Sequence, residues 1–348
     1  MQALDIRDIV EKAKATVASH ALPSPGEYTR YLWQDEKGSR KMGNNEYGCA
    51  NAYNILYTLN DFYCDAETRA ARIKTLQAFQ DKSTGMFYEG THHTIHTTAH
   101  CTAALQLFDA KPLYPLTYLH QFMERDALHK FLECEVDWNE PGSESHKGAG
   151  IYAALVNADE ITPEFEKSYF EWFWNNTDEV TGFWKNGYAE RAPYSKDRHP
   201  NGRDNPSAVY GFMAGGFHYL FNHEYAKMPL RYPEKVIDTC IKMYTEGALP
   251  PYFAKRAGFI EVDWLYCINR ASRQTAYRRD EVVALMENFA VRMVDFLKNA
   301  DWETDDMLND LHMLFGTCCA LAEMQAALPG KIITDKPLKL VLDRRPFI

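Results

Sequence analysis

Three histidines recur at one-turn intervals, His92, His96 and His100. On a helix that spacing puts them on one face, where imidazoles can chelate a metal, hold substrate hydroxyls or move a proton. His92 lacks the following glutamate of a metalloprotease helix, so no metal is expected. His92 and His93 are expected in the loop ahead of the helix. Acidic residues recur beside tyrosine, histidine or tryptophan at Glu46-Tyr47, Glu144-Ser145-His146, Glu261-Val262-Asp263-Trp264 and Asp310-Leu311-His312. Carboxylates on facing helices suit glycosidic cleavage: one protonates the leaving oxygen while another activates water or attacks the sugar. Asp263, Glu261, Glu46 and Asp310 are therefore the expected acids and bases. Asp263 comes first, because residues two apart on a helix diverge and Trp264 beside it would help wall a site. Burial would raise one of these carboxyls and leave it a proton donor near neutral pH. His96, His100, His146 and His312 are expected to hold substrate hydroxyls, with Tyr47, Trp184 and Trp264 supplying aromatic surface. Asp204, Asn205, Asp306 and Asn309 read equally well as helix caps.

These residues share a setting. Six times, a polar or charged opening runs into a segment rich in Gly and Ala: Asn45–Ala52, His96–Leu105, Glu144–Leu155, Asn205–Ala214, Glu261–Cys267 and Asn309–Gly316. Their centres lie roughly 50 residues apart, the length of a helical hairpin with its loops. Small residues on most sides mark them as buried inner helices. Between them run amphipathic stretches with i, i+3, i+4 apolar spacing near Ile6–Val17, Glu67–Phe79, Leu116–Leu132, Pro163–Trp174, Pro233–Tyr244 and Glu281–Leu297. One apolar stripe and one wet face suit outer helices. The fold expected is all-α, an (α/α)6 toroid of six hairpins forming a single domain over residues 1–348. The polar N-terminal ends of the inner helices would meet at one mouth, where helix dipoles favour anionic groups.

A second repeat supports the hairpins. Asp81-Lys82-Ser83-Thr84-Gly85-Met86-Phe87 parallels Asp178-Glu179-Val180-Thr181-Gly182-Phe183-Trp184, each after an outer stretch and before an inner one. Gly supplies a positive-φ turn and the aromatic pins it. Lys339–Leu342 reads as one short extended segment. The longest interval holds a basic strip, with Arg191, Lys196, Arg198, His199 and Arg203. Arg198 and Arg203 are expected to clamp an anionic substituent such as a uronate from a mobile flap.

The net charge of −10 disfavours nucleic acid or an anionic membrane as partner. No run approaches the roughly 20 apolar residues of a spanning helix, and residues 1–10 carry no leader-like apolar core. Eight cysteines without a CxxC pair read as reduced thiols in a cytoplasmic protein. The partner expected is a small-molecule or oligosaccharide substrate, with no cofactor.

Across nearly its whole length the chain resembles the α/α-toroid superfamilies. One branch is carbohydrate-active: glycoside hydrolases, polysaccharide lyases and acylglucosamine epimerases. The other holds terpenoid cyclases and protein prenyltransferase β-subunits. Gly85–Gly90 with His96, Thr98, Ala99 and Ala103–Leu105 is similar to the prenyltransferase repeat, and Asp310-Leu311-His312 to its zinc-histidine segment. That resemblance would place zinc on Asp263, Cys267 and His312, but Leu265 stands where the family has its cysteine. Glu303-Thr304-Asp305-Asp306 is similar to the cyclase acid motif, with Glu for its first Asp. The expected activity is glycoside hydrolysis. Three alternatives stand beside it: a sugar isomerase or lyase with a base drawn from His96, His146, Tyr47 or Tyr210, a prenyl or terpenoid enzyme, and a non-catalytic ligand-binding ring.

Overall fold

The computed structural model describes residues 1–138, 140–185 and 208–348, Ala208 by its backbone alone. It is mostly helical, 57% of the chain. In chain order the helices are α1 (Arg7–Ser19), α2 (Glu46–Thr58), α3 (Ala66–Ala78), α4 (Thr94–Gln106), α5 (Arg125–Lys130), α6 (Pro141–Ala158), α7 (Pro163–Asn175), α8 (Ala208–Ala226), α9 (Pro233–Thr245), α10 (Ile260–Gln274), α11 (Arg279–Asn299), α12 (Leu311–Ala327) and α13 (Val341–Arg344). Two-residue strands β1 (Leu4–Asp5) and β2 (Ile332–Ile333) pair in parallel. Among the described residues no helix is long and apolar enough to cross a membrane.

The Gly/Ala-rich segments are α2, α4, α6, α8, α10 and α12. Each packs against the next, and α12 packs back against α2. Small residues permit this closeness. A Cβ on Gly150 of α6 would lie 2.9 Å from the Ile95 side chain of α4, and one on Gly148 would lie 2.8 Å from the Tyr219 hydroxyl of α8. The even-numbered helices are buried on nearly every face, whereas α1, α9 and α11 bury one stripe. Buried apolar side chains from Ile6 to Ile348 form one contiguous cluster.

Two expectations about elements fail. Leu116–Leu132 is not one helix but a 3-10 turn (Leu119–Phe122), α5, and a π-helical turn (Phe131–Glu135). Its buried Leu116, Leu119 and Phe122 are spaced by three, the 3-10 period rather than the α period. The end of the chain is not extended at Lys339–Leu342; Val341–Arg344 turns as a helix.

The repeated turn is real, and a related turn follows α11. Asp81 and Asp178 each accept from the backbone N–H three residues on, and each carbonyl accepts from Gly85 or Gly182. The glycines have φ of +75° and +78°. Asp301 repeats the pattern with Thr304 and Asp305 after α11. Each turn delivers the chain from an outer helix toward an inner one.

Candidate functional site

Six histidines, from four helices and the loop ahead of α4, converge near the N-terminal ends of the even-numbered helices. Asn45 caps α2 by accepting from Gly48 N–H, which sets Tyr47 in the first turn. His93 caps α4 from the loop, so His92 precedes the helix and His96 and His100 follow on its inner face. The ring centroids of His92 and His96 lie 4.7 Å apart, and those of His96 and His100 6.2 Å. His146 of α6 lies 4.4 Å from His96 and 4.5 Å from His218 of α8. His312 of α12 is 4.9 Å from His92 and 5.7 Å from His100. Tyr47 stacks between His92 and His100 at 4.7 and 4.8 Å, and its hydroxyl is hydrogen-bonded to His96 Nδ1. Among the described residues no group of three or more His, Cys, Asp or Glu is arranged to hold a metal ion.

Burial first, and then the neighbouring imidazoles, hold His96, His146 and His312 far below the usual histidine range. Burial alone brings His218 down to about 4, against a helping bond from the Ala214 carbonyl. These rings are neutral at pH 7. Burial lifts the Tyr47 phenol well above its usual range, so it keeps its proton. Asn51, one turn below Tyr47, donates to the Tyr47 carbonyl and offers Oδ1 to His100 Nε2 at 3.0 Å and to His312 Nδ1 at 3.3 Å.

One carboxylate reaches this cluster through a hydroxyl: Thr91 Oγ1 donates to Glu89 and is 2.9 Å from His92 Nδ1. Burial opposes ionisation of Glu89, but the nearby His92, the Thr91 hydrogen bonds and the Arg30 charge outweigh it and bring Glu89 down to about 2. Thr91 also accepts from Arg30 Nη1 at 2.9 Å. Arg30 in turn forks onto Asp310, with Nε 2.8 Å from Oδ1 and Nη2 2.9 Å from Oδ2, both residues buried. Asp310 caps α12 by accepting from His312 N–H. His92 and His146 are the partly exposed members of the cluster, whereas His96, His100, His218 and His312 are buried.

The expected acids separate into two groups. Asp310 is committed to Arg30 and to its cap. Glu46 is ion-paired to Lys41 at 3.0 Å. Glu261 and Asp263 have no cationic partner within bonding distance among the described residues. Glu261 accepts from Ala254 N–H at 2.8 Å, and burial pushes its carboxyl up to about 7. Burial, helped by Glu261, raises Asp263 well above the carboxylate range, and its Oδ1 is buried without a partner. Both stand in the first turn of α10, whose capping residue Phe259 packs 4.5 Å from His312. Asp263 follows Phe259 by one turn and shares its face.

His96, His100, His146, His312 and Tyr47 are thus brought together, as the sequence suggested. The tryptophans are not. Trp264 is fully buried against Tyr244, Phe253 and Phe289 and donates to the Cys240 carbonyl. It points toward the outer helices α9 and α11. Trp184 packs against Phe173, Tyr219 and His223. Both are core residues. Glu303–Asp306 is a turn whose two aspartates are engaged: Asp305 accepts backbone N–H groups and Asp306 binds Arg40 and Trp33. Cys267 keeps its proton, its thiol raised by burial and by its neighbours Cys240 and Asp263. Arg198, Arg203 and the rest of the expected flap lie outside the described residues.

Sequence reasoning missed Glu89, Arg30, His218 and the role of Asn51. Glu89 was legible, three residues before the first histidine of the run. His218 carried a signal too, a histidine in an otherwise apolar inner helix. Comparison with protein-family models, with curated proteins and with solved structures finds no match.

Proposed function

We propose that the chain is one (α/α)6 toroid domain over residues 1–348, and that it is a carbohydrate-active enzyme working by proton transfer. The cyclic order of contacts from α2 round to α12 and back to α2 supports the toroid. The observation that carries the activity is the Thr91 hydroxyl, which is hydrogen-bonded to both Glu89 Oε2 and His92 Nδ1. An ionised carboxylate thus positions a partly exposed imidazole through one hydroxyl, a relayed form of the base-and-orienter arrangement of acid–base enzymes. His92 takes the role of general base. Glu261 and Asp263, protonated because they are buried, are the matching acids. The neutral imidazoles of His96, His146 and His312, with Asn51, offer donors and acceptors to substrate hydroxyls.

This reading favours a sugar isomerase or polysaccharide lyase, in which a C–H proton leaves to a base. Glycoside hydrolysis becomes the second reading. It needs two carboxyls on facing helices, one free to ionise and one protonated. Glu46 and Asp310, which would face α10 across α12, are held by Lys41 and Arg30. All eight cysteines are free, which supports a reducing, cytoplasmic setting.

The test is incubation of the purified protein in D2O with a panel of reducing sugars, glycosides, uronides and polyuronides, followed by proton NMR. Solvent deuterium at a carbon, or an unsaturated uronide product, is the expected result. Cleavage to two saturated sugars without carbon-bound deuterium would restore the hydrolase reading. No turnover across the panel would leave the ring a ligand-binding protein and end the enzymatic proposal.

A further inference from the structure

Arg345 lies in the turn after α13, and its residue exposure is 0%. Its Nη2 is hydrogen-bonded to Asn54 Oδ1 on α2. Nε and Nη1 are buried without partners, and so is Nδ2 of the same Asn54. Each of these unmatched atoms is a donor. Besides burial, the groups acting on Arg345 are Cys319, Tyr57 and the cation of Arg344. Burial and the neighbouring Cys318 keep the Cys319 thiol protonated. No carboxylate of the described residues reaches the guanidinium.

Arg270 shows how this fold treats a buried arginine elsewhere. It forks onto Glu323, with both bonds at 2.8 Å, and adds Asp343 at 2.6 Å. A guanidinium stays protonated when buried, and its desolvation is costly unless an opposite charge faces it. At Arg345 the charge is present and the protein supplies no anion.

We propose that Arg345 and Asn54 form an internal site for one small monovalent inorganic anion of the chloride class, held between one edge of the Arg345 guanidinium and Asn54 Nδ2. The occupant is small because Asn54, His100, Cys319 and Phe347 are all buried. The anion locks the end of the chain under the six inner helices. Pro346 accepts from Asn222 Nδ2 at 3.0 Å, and Phe347 packs 5.0 Å from His96. Occupancy therefore fixes the floor beneath the histidine cluster without touching substrate.

The test uses the full chain. Melting is followed while chloride is exchanged for gluconate, too bulky to enter, at constant ionic strength. Chloride and bromide are expected to raise Tm saturably by about 2–4 °C. Bromide-soaked crystals should give an anomalous peak beside Arg345 and Asn54. Arg345→Met should abolish the halide dependence. Asn54→Asp places a carboxylate against the guanidinium and should also abolish it while keeping the protein folded, so it decides the matter if Arg345→Met does not fold. Halide dependence undiminished in Asn54→Asp, a wild-type Tm indifferent to halide, or a bromide map without that peak would each overturn the site.

Discussion

Glu89 and His92, three residues apart, are joined through the hydroxyl of Thr91, which is hydrogen-bonded to the Glu89 carboxylate and to His92 Nδ1. Glu89→Gln keeps the shape and removes the charge that orients the base. Turnover on whichever sugar the deuterium screen identifies should fall by about 10²–10⁴-fold, with KM changing much less. His92→Gln should match it, and the double variant should be no worse than either single one. Additive losses would mean that the two residues do not act as one unit.

Glu261 and Asp263 make stability fall with rising pH. Each is protonated in the folded protein and ionised in the unfolded chain above its ordinary value, so the folded state binds the extra proton. For Glu261 the window runs from about 4.5, the ordinary value, up to about 7. Across it the native state loses about 3 kcal/mol that Glu261→Gln would not lose. Asp263→Asn should act in the same direction. Urea titrations at about pH 4 and about pH 8, either side of that window, should show a smaller drop in the variants. Asp263→Asn should also lower turnover by orders of magnitude in a folded protein. If turnover is intact, Asp263 is not the acid.

Two Arg–Asp pairs near the same end of the fold should behave very differently. Asp310→Asn strands the buried Arg30 charge and should cost about 3–5 kcal/mol, with loss of activity through His312 and Thr91. Asp306→Asn, whose side chain is half exposed, should cost about 1 kcal/mol or less. Denaturant midpoints of the two variants compare them directly.

Gly85→Ala and Gly182→Ala test the repeated turn. Each glycine has positive φ, and an added Cβ would stand 2.0 Å from the Pro115 carbonyl oxygen at Gly85 and 2.7 Å from Val236 at Gly182. Each substitution should destabilise by more than about 1–3 kcal/mol, the cost of strain alone. A melting temperature unchanged in both would mean that the turns bend freely.

The inner helices were legible because their composition is unusual. A buried helix closely approached on every side needs Gly, Ala, Cys and Thr, and polar first turns mark where it leaves the core. The outer helix before α6 was not legible, because Leu116, Leu119 and Phe122 fit two helical periods and only packing chooses between them. Histidine spacing along α4 announced a shared face. It could not announce Arg30 or Asn51, which matter through partners hundreds of positions away. Trp264 misled for a related reason: adjacency to Asp263 in sequence means divergence on a helix, so a wall residue and an acid cannot be neighbours along the chain. The end of the chain carried no pattern at all, since a single buried Arg345 has no period to read.

Asn51 and His312, which share a hydrogen bond between α2 and α12, are 261 positions apart. Closing so long a loop pays its chain entropy before its contacts form, so the seam between α2 and α12 is the natural last step of folding. During synthesis α2 leaves the ribosome long before α12 exists. One flank of α2 then stays uncovered while the intervening hairpins stack, and Asn51 lacks one of its two imidazole partners. The histidine cluster is therefore assembled only when α12 docks, and a nascent chain stalled ahead of Leu311 holds five of its six rings and an exposed apolar edge, the state in which such a chain is most open to chaperones and to aggregation.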